Sequence, residues 1–376
     1  MILYVSYRFR SDFGAAIHLD ILKEIYGAEN VFIADLQMGE PWQEKNRIAF
    51  GKYKNLLSRI AQWLQGNTMY ISNATIQTIC DLIGEKKISR VFIEDSVFGN
   101  LAKEIKKQYP DVPITAFFHD IVADLYRQKM AHTKSLVSKI ECLVAIRQER
   151  IQQKYVDTNV VFSKRDTDLY RKYYKCEPDA VIPLSAYVPD LDEAYLSGSE
   201  ENSGQKHLLF VGTQYWPNIV GIRWFYEHVL PEIQADIVVD IVGRGTEFLQ
   251  KEFTDPRVKV HGTVDSIAEY YLKTDAVIIP LFDGGGMKMK AAEAISYGKC
   301  IISTAEGLVG FWDEMDVSVR DQSVFLCNTA QQWCDVIETL CGGVMHKFHP
   351  PLYALFQNRF SYDATKKALT DLQCRR

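Results

Sequence analysis

The residues best suited to chemistry lie between 275 and 307, in the stretch DAVIIPLFDGGGMKMKAAEAISYGKCIISTAEG. A strand-like run ends at Pro280, a short loop carries Gly284, Gly285 and Gly286, and a helical pattern starts at about Met287. Three consecutive glycines permit positive φ and close approach of backbone amides, and a helix start adds about half a positive charge, so the turn suits a diphosphate. Lys288 and Lys290 fall in the first helical turn, where a cation opposes the helix dipole unless an anion lies beside it. Glu293 follows Lys290 by three positions on the same face, one turn from the phosphate site, where it can accept hydrogen bonds from ribose hydroxyls. The competing reading is a tight turn with two solvated lysines, because one glycine-rich turn is weak evidence by itself.

The elements that must position these residues are legible as a rhythm. Short β-branched runs alternate with longer helical patterns, as in βαβ units around parallel sheets, so the fold class is α/β. Strands are expected at 2–6, 31–34, 90–94, 114–118, 159–162 and 180–183, and again at 207–212, 237–243, 258–261, 276–280, 300–304 and 324–327. Between the two series lies SGSEENSGQK at 197–206, polar and without apolar periodicity, which reads as a linker. The expected organisation is a first domain over 1–196, the linker, a second domain over 207–360 and a closing helix over 361–376. A length of 376 residues fits two domains.

Charge and composition narrow the function. Residues 1–200 hold 26 Lys+Arg against 26 Asp+Glu and residues 201–376 hold 17 against 22, so a dedicated nucleic-acid binder is disfavoured. The eight cysteines form no C-x-x-C pair, which suits reduced thiols in a reducing compartment. MILYVSYRFR enters a strand pattern at once and no window approaches 18 uncharged apolar residues, so a cytoplasmic enzyme is expected. Two basic stretches stand out in the first domain and read as helical. Residues 41–66 carry Lys45, Arg47, Lys52, Lys54 and Arg59 among Phe50, Leu56, Leu57, Ile60 and Trp63, and residues 125–154 carry seven basic residues against two acidic. They fit an anionic membrane surface or an anionic lipid-linked substrate, or else the solvated face of core-packed helices.

Several motifs in order resemble one family. FVGTQYWPNIVGIRWF at 210–225, VDIVGRGTEF at 239–248 and VHGTVDSIAEYYLKTDAVIIPLFDGGGMKMKAAEAISYGKCIIST resemble the donor-binding domain of retaining GT-B glycosyltransferases of family 4, bacterial surface-polysaccharide type. FFHDIVADLYRQ at 117–128, NVVFSKRDTDLY at 159–170 and FSYDATKKAL near the end resemble it more loosely, and the likeness extends over about four fifths of the chain. The resemblance implies two Rossmann-like domains facing a cleft, with the last helix crossing back to the first. It implies that Glu293 binds the nucleotide ribose, and that Lys290, with the amides of Gly284, Gly285, Gly286 and Met287, neutralises the diphosphate. Lys288 stands where the family often has arginine. Gly212 and Thr213 belong to the donor loop, which lacks the basic residues often found there, and Gly243, Arg244, Gly245, His261 and Val264 would frame the base. Gly14, on the first loop, and His119 would face the donor sugar, His119 as an orienting group or oxyanion partner. Gly285 stands where many members have a second glutamate, which leaves Asp283 as the nearest carboxylate and a candidate for that role.

The implied activity is retaining transfer of a sugar from a nucleotide diphosphate sugar to a glycan or lipid-linked glycan acceptor, without metal or cofactor. The implied location is the cytoplasm, with peripheral membrane association at the inner face as a further reading. The alternatives are a non-catalytic nucleotide-sugar-binding partner and a sugar-nucleotide epimerase of the same architecture. Three other motifs compete less well. Asp166-Thr-Asp168 has the form of a metal-binding D-x-D but follows Ser163, where short polar residues cap helices. Val242-Gly-Arg-Gly245 begins a dinucleotide fingerprint, yet Phe248 fills the third glycine position. No G-x-x-x-x-G-K-[ST] occurs. His18 reads as packing or surface, and Trp216 and Trp224 as core.

Overall fold

The computed structural model describes residues 1–7, 13–36, 45–51, 55–197, 204–343 and 345–374. The chain forms two compact units, Met1–Pro183 with Lys366–Arg376, and Leu184–Thr365. The division falls at Pro183, ahead of the polar stretch 197–206. Residues after it are tied into the second unit by a bridge from Ala186 to Ser361 and by Tyr195, whose hydroxyl donates to Tyr297 O at 2.8 Å.

In the first unit the strands are β1 (Ile2–Ser6), β2 (Val31–Asp35), β3 (Arg47–Ala49), β4 (Arg90–Glu94), β5 (Ile114–Phe118), β6 (Thr158–Val161) and β7 (Ala180–Val181). They form one parallel sheet in the order β3-β2-β1-β4-β5-β6-β7. Every residue of β1 and β5 is buried, as a parallel sheet covered on both faces requires. The strand order reverses between β1 and β4, so the carboxyl ends of these strands open a crevice where α/β sheets bind ligands.

The second unit holds β8 (Lys206–Val211), β9 (Ile237–Val242), β10 (Val258–Gly262), β11 (Ala276–Ile279), β12 (Cys300–Ser303) and β13 (Val324–Leu326), parallel in the order β10-β9-β8-β11-β12-β13. Its reversal lies between β8 and β11. Phe210, Ile241, Ile278 and Trp333 meet in its core, and the Trp333 indole donates to Cys327 O at 2.9 Å, so burying the ring leaves no orphan donor. Each such side chain contributes about 1.5–3 kcal/mol through burial. Each unit is built on one parallel Rossmann-like sheet, which makes this an α/β chain, as the spacing of the strands predicted.

Three expectations change. Residues 41–66 are not one helical stretch: Arg47–Ala49 is an edge strand, pinned by Arg47 Nη2 to Asp35 Oδ2 at 2.6 Å, and the helix runs only over Leu56–Leu64 from the Asn55 cap. Lys52 and Lys54 lie outside the described residues. Gly14 sits in the first turn of the helix Phe13–Tyr26 rather than on the loop before it, because the apolar face made by Ala15, Leu19 and Leu22 starts there. Trp216 is 63% exposed at the start of the helix Trp216–His228, whereas Trp224 joins the core cluster, edge-on to Trp333. Eight residues along a helix turn the second position about 80° from the first, so the two rings do not share one face.

The last helix, Tyr362–Cys374, joins the first unit from Lys366 onward; Lys366 pairs with Glu24, and Tyr26 donates to Gln373 Oε1 at 2.8 Å. Among the described residues no helix is long and apolar enough to cross a membrane. All eight cysteines are free thiols, five of them buried.

Candidate functional site

The site in the second unit is assembled from loops at the carboxyl ends of β8, β9, β10 and β11. The first three loops press against each other through glycines. Gly212 N donates to Val242 O and Gly243 N to Gly262 O, both at 2.8 Å. Gly243 has φ +150°, and a Cβ there would lie 2.0 Å from Gly212 O, so no other residue fits. Gly245 follows at φ +81°, with Gln214 N donating to Arg244 O at 2.9 Å. Thr213 and Arg244 are exposed at this edge, and Val264 is half-buried. The neighbouring Thr263 is fixed by Glu247 Oε1, which accepts from its amide at 2.8 Å and its hydroxyl at 2.7 Å.

The glycine turn follows β11. Gly284 and Gly286 have φ of +137° and +54°, Asp283 is exposed, and Met287 is buried. The helix begins at Met289, two residues later than the sequence pattern suggests, because Lys288 is its extended N-cap. Lys288 does not stand open toward a ligand. Its ammonium donates to Gly285 O at 3.0 Å and Gly286 O at 2.8 Å and pairs with Glu306 Oε1 at 2.8 Å, so it clamps the turn.

Lys290 is the buried cation. It is 8% exposed, donates to Asn218 Oδ1 at 2.6 Å and lies 4.6 Å from the centre of the Phe210 ring. Burial pushes its pKa down to about 7, partly opposed by Glu293. One turn on, Glu293 accepts from the Tyr271 hydroxyl at 2.9 Å, and burial pushes its carboxyl up to about 7 against that bond and Lys290. Tyr271 is itself fully buried and stacked on Tyr297 at 4.8 Å. A buried ammonium with one neutral partner is under-compensated, and a diphosphate beside it would supply the missing charge. The carboxylate one turn away is oriented to accept from vicinal hydroxyls.

Asn218 and Tyr271, the partners of the candidate residues Lys290 and Glu293, were missed by the sequence reading. They lie 72 and 22 positions from Lys290 and Glu293, and no local spacing connects them. His261, expected near the base, bonds through Nε2 to Asp240 Oδ1 at 2.7 Å.

In the first unit His119 follows β5 and its Nε2 lies 2.5 Å from Oε1 of Glu94, the last residue of β4. His18 reaches the same carboxylate through Nδ1 at 2.9 Å, and Tyr4 donates to Glu94 Oε2 at 2.9 Å. Glu94 is fully buried; burial alone would raise its pKa, yet the two imidazoles hold it well below the usual carboxylate range. His18 is therefore a member of this cluster, stacked on Phe117 at 4.3 Å, and not merely packing. Glu149, also buried, accepts from Val122 N at 2.7 Å and Ala123 N at 2.8 Å, anchoring the start of the helix Val122–His132 just after His119. Gly14 is buried close to His18 in the same helix.

Asp166 and Asp168 are committed elsewhere. Ser163 Oγ donates to Asp166 Oδ2 at 2.6 Å in a helix cap, and Asp168 pairs with Arg171 on the surface. Among the described residues no three His, Cys, Asp or Glu are arranged to hold a metal ion.

Residues 205–341 match the family model described as Glycosyl transferases group 1. No curated protein matches the chain. Among solved structures the chain resembles sucrose-phosphate synthase from Thermosynechococcus elongatus, with a TM-score of 0.72 and 13% identity over 100% of this chain and 98% of that one. It also resembles HepE from Anabaena in complex with UDP, with a TM-score of 0.71 and 12% identity over 100% of both chains. The complex of the same protein with UDP-glucose gives 0.68 and 11% over 100% and 99%. The fold is thus of GT-B type, and within the second unit residues 205–341 resemble a group 1 glycosyltransferase domain.

Proposed function

We propose that the protein transfers a sugar from a nucleotide diphosphate sugar to an acceptor hydroxyl with retention at the anomeric carbon, in the synthesis of bacterial cell-surface polysaccharide or glycoconjugate. The observation that carries this reading is the buried Lys290, held by Asn218 beside the glycine turn, one helical turn from the Tyr271-bonded Glu293. Negative charge develops on the leaving diphosphate, and Lys290 with the turn amides would stabilise it without a metal ion. Glu293 would hold the ribose, and Gly212, Thr213, Gly243, Arg244 and Val264 would line the nucleotide. Asp283 and the amides of Gly284, Gly285 and Gly286 would meet sugar hydroxyls. In the first unit, which would take the glycan or lipid-linked acceptor, His119 would act as an orienting group, its ring fixed by Glu94. HepE is solved with UDP and with UDP-glucose, which makes a uridine diphosphate sugar the first donor to try.

Peripheral association with an anionic membrane belongs to the same proposal. Leu57 and Leu64 are 81% and 86% exposed on the helix Leu56–Leu64, and Leu136 and Leu143 are 72% and 57% exposed on the neighbouring helix Leu136–Tyr155, with Lys134 and Lys139 exposed beside them. Aliphatic side chains ringed by lysines suit a headgroup boundary.

The test is a thermal-shift panel of UDP, GDP, ADP and their common sugars, with and without EDTA, followed by product analysis with acceptor. A ligand at 100 times its Kd stabilises by about 2.7 kcal/mol, which such a panel resolves. A shift from one diphosphate nucleotide that survives EDTA, with transfer and retained anomeric configuration, is the expected result. No shift with any of them would return the glycine turn to a purely structural role.

A further inference from the structure

Lys288 and Glu306 form a charged pair at the glycine turn whose geometry sets it apart from Lys290 and Glu293. Lys288 reaches back from the N-cap of the helix Met289–Ser296, and its ammonium meets three oxygens: Gly285 O at 3.0 Å, Gly286 O at 2.8 Å and Glu306 Oε1 at 2.8 Å. Both side chains are largely shielded, at 11% and 20% exposure, so the pair is held more firmly than a bridge between two solvated side chains.

Glu306 is placed by the loop that leaves β12. Since β11 and β12 pair in parallel, the loops after them run side by side. Thr304 N donates to Ile279 O at 3.3 Å, and the Thr304 hydroxyl donates to Leu281 O. Beyond Glu306, a Cβ on Gly307 would lie 2.7 Å from Ile279 Cγ2, and one on Gly310 2.5 Å from Met287 Cγ. The loop is thus fastened against the turn on both sides of Glu306.

Peptide geometry gives the consequence for the turn. In a planar trans peptide the C=O and the N–H of the next residue point in opposite directions. Two carbonyls converging on one ammonium therefore send the N–H groups of Gly286 and Met287 away from it as a pair. Successive amides directed to one side make an anion-binding concavity. Lys288 adds little net charge to it, because Glu306 offsets an ammonium that would otherwise oppose the dipole at a helix start.

We propose that Lys288 and Glu306 are positioning residues for the donor diphosphate. Lys288 draws the Gly285 and Gly286 carbonyls inward, Glu306 holds Lys288 to that task, and the amides of Gly286 and Met287, not the Lys288 ammonium, meet the phosphates. This rests on the reading of the turn as the diphosphate site and names the amides that serve it. Loss of either side chain then acts in the same direction, by loosening the same two amides. Were Lys288 instead a phosphate ligand restrained by Glu306, removing Glu306 would release the ammonium and tighten binding.

The experiment is calorimetry of the full chain with UDP and with inorganic pyrophosphate, beside hydrogen exchange of residues 284–288 in the ligand-free protein. The variants are Glu306→Gln, Lys288→Met, the two combined, and Lys288→Arg. Glu306→Gln and Lys288→Met should each weaken both ligands about five- to tenfold, and the double variant should bind no more weakly than the poorer single one. Lys288→Arg, which keeps a cationic donor, should stay within about threefold of the parent. Amides of residues 284–288 in ligand-free Glu306→Gln should exchange at least about tenfold faster, while the strands of the second unit keep the parent's protection. Tighter binding in Glu306→Gln, additive losses in the double variant, or exchange equal to the parent's would overturn the proposal. A parent that binds neither ligand would sink the donor reading instead, and the exchange comparison would then decide the clamp alone.

Discussion

Replacing Lys290 by Met tests the site most directly. The substitution keeps an unbranched chain of similar volume beside Phe210, which lies 4.6 Å from the ammonium, and removes only the charge. Two effects on stability oppose each other. Asn218 loses the partner now 2.6 Å from its oxygen, which costs about 1–3 kcal/mol for a buried acceptor. Against that, the folded chain no longer buries an amine whose pKa burial has pushed down to about 7, so the net change in Tm should be a few degrees. Catalysis has no such offset. One preorganised donor to developing charge is worth about 3–4 kcal/mol, so kcat should fall by ~10²–10³. The assay is sugar transfer, or slow donor hydrolysis, by a variant whose circular dichroism and cooperative unfolding match the parent. Turnover within threefold of the parent would refute the argument, because it would mean that the diphosphate is neutralised elsewhere.

Four further outcomes follow from named contacts. Nucleoside diphosphate binds the protonated form of Lys290 and raises its pKa, so affinity should weaken as pH rises above about 7, by up to tenfold per pH unit, in calorimetry across pH 6–9. Tyr271→Phe removes the donor to Glu293 and should weaken nucleoside diphosphate binding about five- to tenfold while leaving inorganic pyrophosphate unaffected, which separates ribose recognition from phosphate recognition. Gly243→Ala places a methyl 2.0 Å from Gly212 O and should destabilise the fold by about 2–4 kcal/mol in urea denaturation. Leu57→Ser with Leu64→Ser should abolish sedimentation with anionic phosphatidylglycerol vesicles, since each leucine contributes about 1.5–3 kcal/mol on insertion, without changing thermal stability.

Most strands were legible because parallel β-structure buried on both faces demands short continuous apolar runs such as ILYVS and ITAFF. The strand β3 was not, since Arg47–Ala49 is three residues long and owes its place to Asp35 rather than to its own pattern. The glycine turn, Lys290 and Glu293 were likewise visible because they are neighbours in one strand–turn–helix segment. Their partners were not. Asn218 and Tyr271 come from other helices, and Lys288, which looks equivalent to Lys290 in sequence, is spent on closing the turn.

The first unit shows the same division. His119 was expected at a strand end from the apolar run before it, but the carboxylate that fixes it, Glu94, sits 25 positions away on β4. By itself, then, the sequence determined the α/β class, the two sheets and the glycine-bearing loops at the strand ends, because these depend on local periodicity and on backbone freedom at glycine. Only the tertiary structure decided which charged groups are buried, which are neutralised and by whom. Desolvation and charge pairing depend on what is adjacent in space, and adjacency between parallel strands is set by sheet order, not by position along the chain.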